Sequence, residues 1–442
     1  MTITIKPRER DAILQSLRAG VVPRIGLQHI QVDRKEEIAA ILSDLDRIEQ
    51  GSSSVRFIIG RYGSGKSFFL NLARMLALEK KFVVVQADIS PDRRLHASGG
   101  QARSLYSELM KNMSAGAKRD GSALPSLIQK WISDIEFDVR QIDGDLHQAI
   151  YARLQPLQDY VSGYDFATVI GKYVEGYEKE DDALMTAALR WLRAEYATKS
   201  EARKDLGVRS NIGDQDVYDY LKLMAAFVRL AGYSGLLVNL DEMGVLSYRL
   251  NNIQARNANY DIILHILNDC LQGGVIGLGV IFAGVDGFLD DRRRGIASHE
   301  ALKRRLADNP FAMGDLRDYS NPVIRLQNLT AEDLCILLLN IRNVYAGGDI
   351  SRHIVPDEAI KAYIQHCARR LGAEFYQTPG DAVKGFVGFL SVLDQNRNTD
   401  WQTLLGGIDI QPSKDPDSFS TENDETSMAT KNGKDELTTF RL

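Results

Sequence analysis

The eight residues GRYGSGKS, at positions 60–67, constrain the fold of this chain more than any other stretch. They fit the phosphate-binding pattern G-x-x-x-x-G-K-[ST] and lie between the apolar run VRFII and the amphipathic stretch FFLNLARMLAL. A glycine loop between a strand and a helix lets backbone N–H groups turn inward around a phosphate chain. The alternative is a glycine turn with an incidental Lys-Ser, but the flanking strand and helix patterns are what a phosphate loop requires.

Each residue of this loop has an expected role. We expect the Lys66 side chain to reach the β- and γ-phosphates of ATP, and the Ser67 hydroxyl to coordinate Mg²⁺. The sequence therefore predicts ATP and Mg²⁺ as the ligands of the site. The candidate nucleotide-binding residues are Gly60, Arg61, Tyr62, Gly63, Ser64, Gly65, Lys66, Ser67 and Phe68.

A second motif supplies candidates for hydrolysis. The run GLLVNLDE, residues 235–242, is apolar almost to its end and finishes with Asp241 and Glu242. We expect Asp241 to hold the magnesium ion and Glu242 to orient and polarise the attacking water. The alternative is a strand that ends in an acidic turn. Two adjacent carboxylates in a chain that already has a phosphate loop favour the hydrolytic interpretation.

The remaining patterns indicate an α/β fold with a parallel sheet, because strands alternate with helices around the glycine loop. The loop is followed by a predicted helix at 66–79. Another helix is expected at about 258–272, and helical patterns fill the chain from about 102 to 232 and from Pro322 to about 396. The predicted strands are 55–59, 82–89, 235–242 and about 275–283.

The helical stretch at about 102–232 explains the interval of about 175 residues between Lys66 and Asp241. A βαβ unit takes only about 30 residues or more. The excess is either a domain that contacts DNA or a partner, or an enlarged structural subdomain. Within it, Trp131 and Trp191 are better explained as core anchors than as platforms for stacked bases. The predicted domains are an N-terminal helical segment (1–50), an ATPase core (51–320), a helical lid (321–408) and a disordered acidic tail (409–442).

Composition narrows the class of protein. The net charge is −5, so the chain has no overall positive charge that would indicate nucleic-acid binding. A local basic face is still possible, because the chain has 54 Lys and Arg residues. The three cysteines have no C-x-x-C spacing and the N-terminus resembles no signal peptide, which favours a reduced, cytoplasmic protein. The most apolar window, 273–289, is shorter than the roughly 20 residues of a membrane span. It predicts a buried strand.

Several segments together resemble one family. The run LRAGVVPRIGLQHIQVDRKEE, at its distance from GRYGSGKSFFL, is similar to the ATP-binding proteins of bacteriophage-exclusion (BREX) defence systems. The stretches VNLDE, FAGVDGFLDD and TPGDAVKGFVGFL fit the same family, so the resemblance covers about residues 15–400. It implies an AAA+-like P-loop NTPase core with a parallel sheet, a large helical insertion and a C-terminal helical lid.

The resemblance also implies roles for residues outside the two motifs. VDRKEE matches the segment near the adenine, with Arg34 and Glu37 as its polar residues. The lid helix of the family usually carries a sensing arginine after Thr-Pro. This chain has Gly380 there, and Lys384 one turn further on. A lysine reaches a phosphate as a point charge but does not fork as an arginine does.

A sensor and an arginine finger are the least defined parts of the predicted site. AAA+ ATPases place a polar residue at the end of the strand beside the acidic one, and this chain offers only Asp286, which is better explained as a solvated turn residue. Arg304 and Arg305 are candidate fingers, with one expected to face outward and the other to pack or pair. The triple arginine at 292–294 is equally well explained as a solvated basic face.

Two function classes follow. In the favoured one, the chain is a motor or switch ATPase of a defence complex. Hydrolysis then drives assembly, or engagement of double-stranded DNA or of a helicase- or methyltransferase-type partner, and a homo-oligomer supplies the arginine finger. In the alternative, it is a nucleotide-gated scaffold that hydrolyses ATP slowly and recruits partners through the helical insertion. A small-molecule kinase is less favoured, because Asp241-Glu242 suits water activation and no acceptor-binding motif is visible.

Overall fold

The computed structural model describes residues 5–141, 144–312, 316–371 and 379–407; the predicted acidic tail lies outside these residues. Five strands are present: β1 (Ser54–Ile59), β2 (Val83–Asp88), β3 (Leu236–Asp241), β4 (Leu278–Gly284) and β5 (Val323–Arg325). The α-helices are α1 (Pro7–Ala19), α2 (Lys35–Glu49), α3 (Lys66–Glu79), α4 (Gln101–Lys111), α5 (Leu124–Gln141), α6 (Leu146–Leu154), α7 (Gly163–Glu178), α8 (Asp182–Leu192), α9 (Lys199–Leu206), α10 (Val217–Leu230), α11 (Gly244–Tyr248), α12 (Ile253–Leu271), α13 (Asp286–Asp290), α14 (Glu300–Arg305), α15 (Ala331–Tyr345), α16 (Asp357–Leu371), α17 (Pro379–Gln395) and α18 (Trp401–Gly406).

The five strands form one all-parallel sheet in the order β2-β3-β4-β1-β5. Every residue of β1 and of β4 is buried, as expected for parallel strands that are covered by helices on both faces. The four strands predicted from the sequence are confirmed to within a few residues. The apolar window at 273–289 contains β4, and none of the described helices is both long enough and apolar enough to cross a membrane.

The two faces of the sheet bury different helices. Because side chains alternate along a strand, Ile58 and Leu237 pack on the face covered by α2 and α3, whereas Val238 lies on the face covered by α10 and α12. Asp241 is four residues beyond Leu237 and so lies on the α3 face. The alternation therefore brings the last residue of β3 to the side of the sheet where the helix after the glycine loop begins.

The prediction that the chain is helical directly after Pro322 was wrong. It first forms β5, which pairs with β1 through Val323 and Arg325. Three residues are too few to show the alternation that marks a strand in a sequence. The helical pattern begins later, at α15, where Thr330 and Asp333 form a capping box.

The helices α4 to α10 are inserted between β2 and β3 and share one continuous core with the sheet. Trp131 and Trp191 are both buried in this core, where their rings lie edge-on to Phe227 at 5.3 Å and to Tyr220 at 5.5 Å. The indole N–H of Trp191 also donates to the carbonyl of Ser210 at 3.0 Å. The interpretation of both tryptophans as core anchors is confirmed.

A second core lies among the C-terminal helices and includes the N-terminal helix. Ile13 of α1 is buried there with Leu338 of α15 and Phe386 of α17. Helix α2, in contrast, packs on the sheet and on α3. The N-terminal segment thus contacts both the sheet region and the C-terminal helices, and the predicted domain boundaries stay predictions.

A buried ion pair joins α2 to the sheet. The Arg56 guanidinium of β1 donates twice to the Asp44 carboxylate, once over 2.9 Å from Nη2, and both side chains are about 95 % buried. Arg56 Nη1 also donates to the carbonyls of Tyr319 and Asn321, at 2.8 and 2.6 Å, just before β5. The pair therefore fixes three chain segments at one point.

We expect the substitution Asp44→Ala to destabilise the protein by about 3–5 kcal/mol, because it leaves the Arg56 charge buried without its carboxylate. The matched control is Asp46→Ala in the same helix, which breaks a half-exposed pair with Lys80 and costs about 0–1 kcal/mol. Urea unfolding followed by circular dichroism measures both. Equal losses for the two variants would contradict the role given to the buried pair.

Candidate nucleotide-binding site

The glycine loop leaves β1 at Gly60 and enters α3 at Lys66. Gly63 and Gly65 have φ angles of +80° and +89°, in the left-handed region that favours glycine. Gly60 is required for another reason, since a Cβ there would lie 2.5 Å from Ser64 Oγ and 3.1 Å from the Leu326 carbonyl. Three of the motif's glycines are thus explained by the backbone path and by packing.

The Lys66 side chain folds back over this loop. Its Nζ donates to the carbonyl oxygens of Gly60 at 2.9 Å and of Arg61 at 2.8 Å. The ammonium group is therefore held above the loop, although its carbon stem starts at the first residue of the helix. A phosphate oxygen that entered the loop would meet this positive charge.

Ser67 meets Asp241 at the carboxyl edge of the sheet. Ser67 Oγ donates to Asp241 Oδ2 at 2.7 Å, and Asp241 Oδ1 accepts from the backbone N–H of Glu242 at 2.8 Å. The structure thus brings together the two residues that the sequence predicts as magnesium ligands. Hydroxyl and carboxylate oxygens are hard ligands of the type Mg²⁺ takes from proteins, with its other positions filled by waters and phosphates. The residues present fit this ion.

Glu242 adopts an unusual backbone conformation. Its φ is +58°, which few residues other than glycine adopt and which costs of order 1–3 kcal/mol. The strain lies directly after Asp241, at the point where β3 leaves the sheet.

Asp88 is a residue of this edge that sequence reasoning missed. It ends β2 and is the register partner of Asp241, and the backbone N–H of Ile89 donates to the Asp241 carbonyl at 2.9 Å. Burial, and next the negative charge of Asp241, raise the pKa of the Asp88 carboxyl group above its ordinary value. A signal was present in the sequence: the strand at 82–89 also places an aspartate near its end.

Arg34 lies against the back of the glycine loop. Its guanidinium is nearly 90 % buried and donates to the carbonyls of Ser64, at 3.3 Å, and of Gln327 beyond β5. Glu37, on the first turn of α2, accepts from it at 3.4 Å. Arg34 therefore holds the loop to the segment that leads into the C-terminal helices. Contact between Arg34 and adenine stays a prediction.

The other residues of the loop differ in their surroundings. Arg61 and Tyr62 are exposed at its tip. The Ser64 hydroxyl is buried and has no hydrogen-bond partner within the described part of the chain. Phe68 points away from the loop and packs against the core of the C-terminal helices. The loop therefore has one exposed side, and its helix contacts the predicted lid.

Asp286, the candidate sensor, follows β4 at the start of α13 and faces Arg325 rather than the glycine loop. The nearest atoms of this pair are 3.8 Å apart. Arg325, at the end of β5, also donates to both oxygens of Asp290 at 2.9 Å, and these hydrogen bonds raise the pKa of its guanidinium. Side chains two residues apart on a strand lie on the same face, so Arg325 shares the face of Val323. Val323 packs on the face of the sheet opposite α3, and the pair therefore lies on that face.

The candidate fingers lie on the surface. Arg304 and Arg305 are both exposed on α14, where Arg304 Nε donates to Glu300 at 3.3 Å and Arg305 donates to the Ala301 carbonyl at 3.1 Å. The expectation that one arginine pairs is confirmed for Arg304.

Lys384, the candidate lid residue, lies against the end of α1. Its Cδ is 3.7 Å from the position of a Cβ on Gly20. At Gly380, where the family usually has its arginine, a Cβ would meet no atom of the described chain within 4 Å. Among the described residues, none therefore occupies the space that a side chain at this position would take.

The fold and the site define a class of protein. A parallel α/β sheet carries a glycine loop, a lysine, a serine and an aspartate at the carboxyl edge of its strands, which is the composition of a site for nucleotide phosphates.

Comparison with models of known families then identifies the family. Residues 5–409 match the model of the BREX system ATP-binding protein BrxC/D, so the chain belongs to this family and the resemblance read from its sequence is confirmed. The family implies ATP binding in phage defence. None of the proteins with curated functions matches the chain significantly.

We expect Arg34→Ala to lower the free energy of unfolding by about 2–4 kcal/mol in the absence of nucleotide. The substitution removes a buried guanidinium and leaves two carbonyls and a carboxylate without this hydrogen-bond donor. The control is Lys35→Ala, at the exposed neighbouring position, with a change within about 0.5 kcal/mol. Thermal unfolding and binding of a fluorescent ATP analogue are measured together. If stability is unchanged and ATP affinity is lost, Arg34 instead contacts the adenine of ATP.

Proposed function

We propose that this chain binds ATP with Mg²⁺ at the glycine loop and hydrolyses it. The observation that carries the proposal is the 2.7 Å contact between Ser67 Oγ and Asp241 Oδ2, which lies one residue from Lys66 and one from Glu242. Residues far apart in the chain thus meet at one point, with hard oxygen ligands, a cation and a second carboxylate.

The residues of the loop have matching tasks in this reaction. The backbone N–H groups at the start of α3 face the phosphates, and Lys66 exchanges its contacts with the Gly60 and Arg61 carbonyls for phosphate oxygens. Ser67 and Asp241 are the residues that would hold the magnesium ion. Mg²⁺, when bound, neutralises charge on the β- and γ-phosphate oxygens.

Glu242 is the group that we assign to the attacking water. Its carboxylate accepts a hydrogen bond from the water and takes its proton as the water oxygen bonds to the γ-phosphorus. The bond from the γ-phosphorus to the β,γ-bridging oxygen breaks in the same step, and ADP leaves. The strained backbone at Glu242 supports this role, since strain of this kind gathers at functional positions. Asp88, beside Asp241, adds negative charge to the same edge and so favours a bound cation there.

The coupling of hydrolysis to defence is the less defined part of the proposal. We propose a cytoplasmic homo-oligomer in which an exposed Arg304 or Arg305 of one copy reaches the site of its neighbour. The C-terminal helices act as a lid, with Phe68 as their contact to α3 and Lys384 as a point charge. Helicase- or methyltransferase-type proteins of the defence system, or double-stranded DNA, receive the conformational change.

A slowly hydrolysing scaffold is the second candidate, and one observation favours it. Gly380 stands where the resemblance implies a sensing arginine, and a Cβ there would meet no atom of the described residues within 4 Å. Loss of a forked cation from the lid would reduce stabilisation of charge on the transferred phosphate. In this case the chain would bind ATP tightly and use occupancy of the site, rather than turnover, to recruit partners.

We expect Glu242→Gln to lower the rate of ATP hydrolysis at least about 100-fold while ATP binding persists, because only the base is lost. Lys66→Ala removes the cation of the loop and should abolish binding. Phosphate release at saturating Mg-ATP, with and without double-stranded DNA, measures the first variant, and titration of a fluorescent ATP analogue measures the second. Glu332→Gln, at an exposed position of α15, is the control that should match the wild type.

The results separate the candidates. Slow turnover under all conditions, with tight ATP binding, would favour the scaffold over the motor. ATP binding that survives Lys66→Ala would disprove the assignment of the site itself. Turnover unaffected by Glu242→Gln would leave the site in place but remove Glu242 as the base.

A further inference from the structure

The helical insertion carries a basic cavity that none of the roles assigned above uses. The cavity has a volume of about 510 Å³ and is lined by Lys199, Ser200, Arg203 and Arg209. The first three belong to α9, and Arg209 follows the Gly207 that ends this helix. All four residues are exposed. We call this surface the α9 cavity.

The positive charge of the α9 cavity is not neutralised by neighbouring carboxylates. Within the described ranges, the side chains of Lys199, Arg203 and Arg209 have no ion pair or hydrogen bond. Some other cations of the insertion do have partners: Arg153 lies 2.7 Å from Asp138, and both Lys172 and Lys179 contact Glu175. The cations of the cavity are therefore available to a ligand.

Helical geometry keeps the acidic side chains of α9 away from the cavity. Lys199, Ser200 and Arg203 lie within an arc of about 100° of the helix surface, at 3.6 residues per turn. Glu201 and Asp205 lie on the opposite side, and Asp205 already accepts from the Tyr196 hydroxyl at 2.8 Å. The Asp165 carboxylate is buried and accepts from the Arg209 backbone N–H and from the Ser210 hydroxyl.

We propose that the α9 cavity binds the phosphate backbone of DNA. Two guanidinium groups, one ammonium group and a hydroxyl are the side chains that contact nucleic-acid phosphates. Lys199 and Arg203 are one helical turn apart, so their Cβ atoms are about 5–6 Å from each other. Each side chain can therefore contact a separate phosphate. No aromatic side chain of the described residues lines the cavity, so we expect no stacking of bases and a contact that is independent of sequence.

This inference rests on the proposed function, since it assigns to the insertion the DNA contact through which ATP turnover would be coupled. A local cluster of this kind would allow a chain whose net charge is −5 to bind DNA. A local cluster of unpaired cations acts over about 8–10 Å at physiological salt, so the negative charge of distant surfaces is screened.

The experiment compares two triple variants of the full chain. The cavity variant removes all three positive charges of the α9 cavity, through Lys199→Gln, Arg203→Gln and Arg209→Gln. Arg140→Gln, Arg153→Gln and Lys179→Gln remove the same number and kinds of cation from exposed positions on the same insertion where each has a carboxylate partner. Binding to a fluorescein-labelled 30-bp duplex is measured by anisotropy without nucleotide, from 50 to 200 mM salt, after thermal unfolding confirms that both variants are folded.

The cavity variant should bind DNA at least about ten-fold more weakly, and its slope of log K against log salt should fall by about 2–3, since each lost phosphate contact contributes about 0.9. The control should bind as the wild type does. Equal losses in both variants, or no loss in either, would overturn the proposal. Displacement of wild type from the duplex by polyglutamate at lower concentration than by unlabelled duplex would overturn it in favour of an acidic protein ligand.

ATP turnover provides an independent readout. The cavity variant should hydrolyse ATP as the wild type does without DNA, and should lose any stimulation by DNA. If wild type binds DNA through the cavity but hydrolyses no ATP, the proposed ATPase function fails while the inference stands. If ATP is hydrolysed and its rate responds to DNA equally in wild type and the cavity variant, the inference fails while the ATPase function stands.

Discussion

The parallel direction of all five strands is the constraint on which the candidate site depends. In a parallel sheet every carboxyl end emerges at one edge, so the glycine loop after β1 lies at the same edge as Asp241, which ends β3, and Glu242, which follows it. The strand β4 lies between β1 and β3, and α3 crosses above it on one face. The hydrogen bond from Ser67 to Asp241 spans this distance only because α3 begins directly above the end of β3.

That edge carries several unfavourable features in the protein alone. Glu242 is strained, Asp88 has a raised pKa beside Asp241, and the Ser64 hydroxyl is buried without a partner in the described chain. Each costs free energy that the rest of the folded structure offsets. Such costs persist where function requires them. A cation between the carboxylates would relieve the repulsion of like charges, which agrees with the magnesium role that we propose.

The N-terminal segment and the C-terminal helices are physically connected to the loop. Arg34 donates to the Ser64 carbonyl in the loop and to the Gln327 carbonyl beyond β5, while Phe68 at the start of α3 contacts the core of the C-terminal helices. A change in the loop would therefore alter contacts on two sides at once. Helix α1, which packs with α15 and α17, belongs to the same assembly. Ligand occupancy of the loop has a short path to the predicted lid.

The sequence by itself determined the parts of this protein that depend on local pattern. The strand–loop–helix around GRYGSGKS, the acidic end of β3 and the buried strand β4 were each predictable, because backbone conformation and burial of a continuous apolar run are encoded within a few residues. The family could also be recognised from the sequence, because the resemblance depends on short motifs. Only the tertiary structure decided which distant residues meet. It placed Asp88 beside Asp241, Arg34 behind the loop, Arg325 beside Asp286 and three unpaired cations around the α9 cavity. Strand order and helix packing bring these groups together. Neither can be predicted from the spacing of residues along the chain.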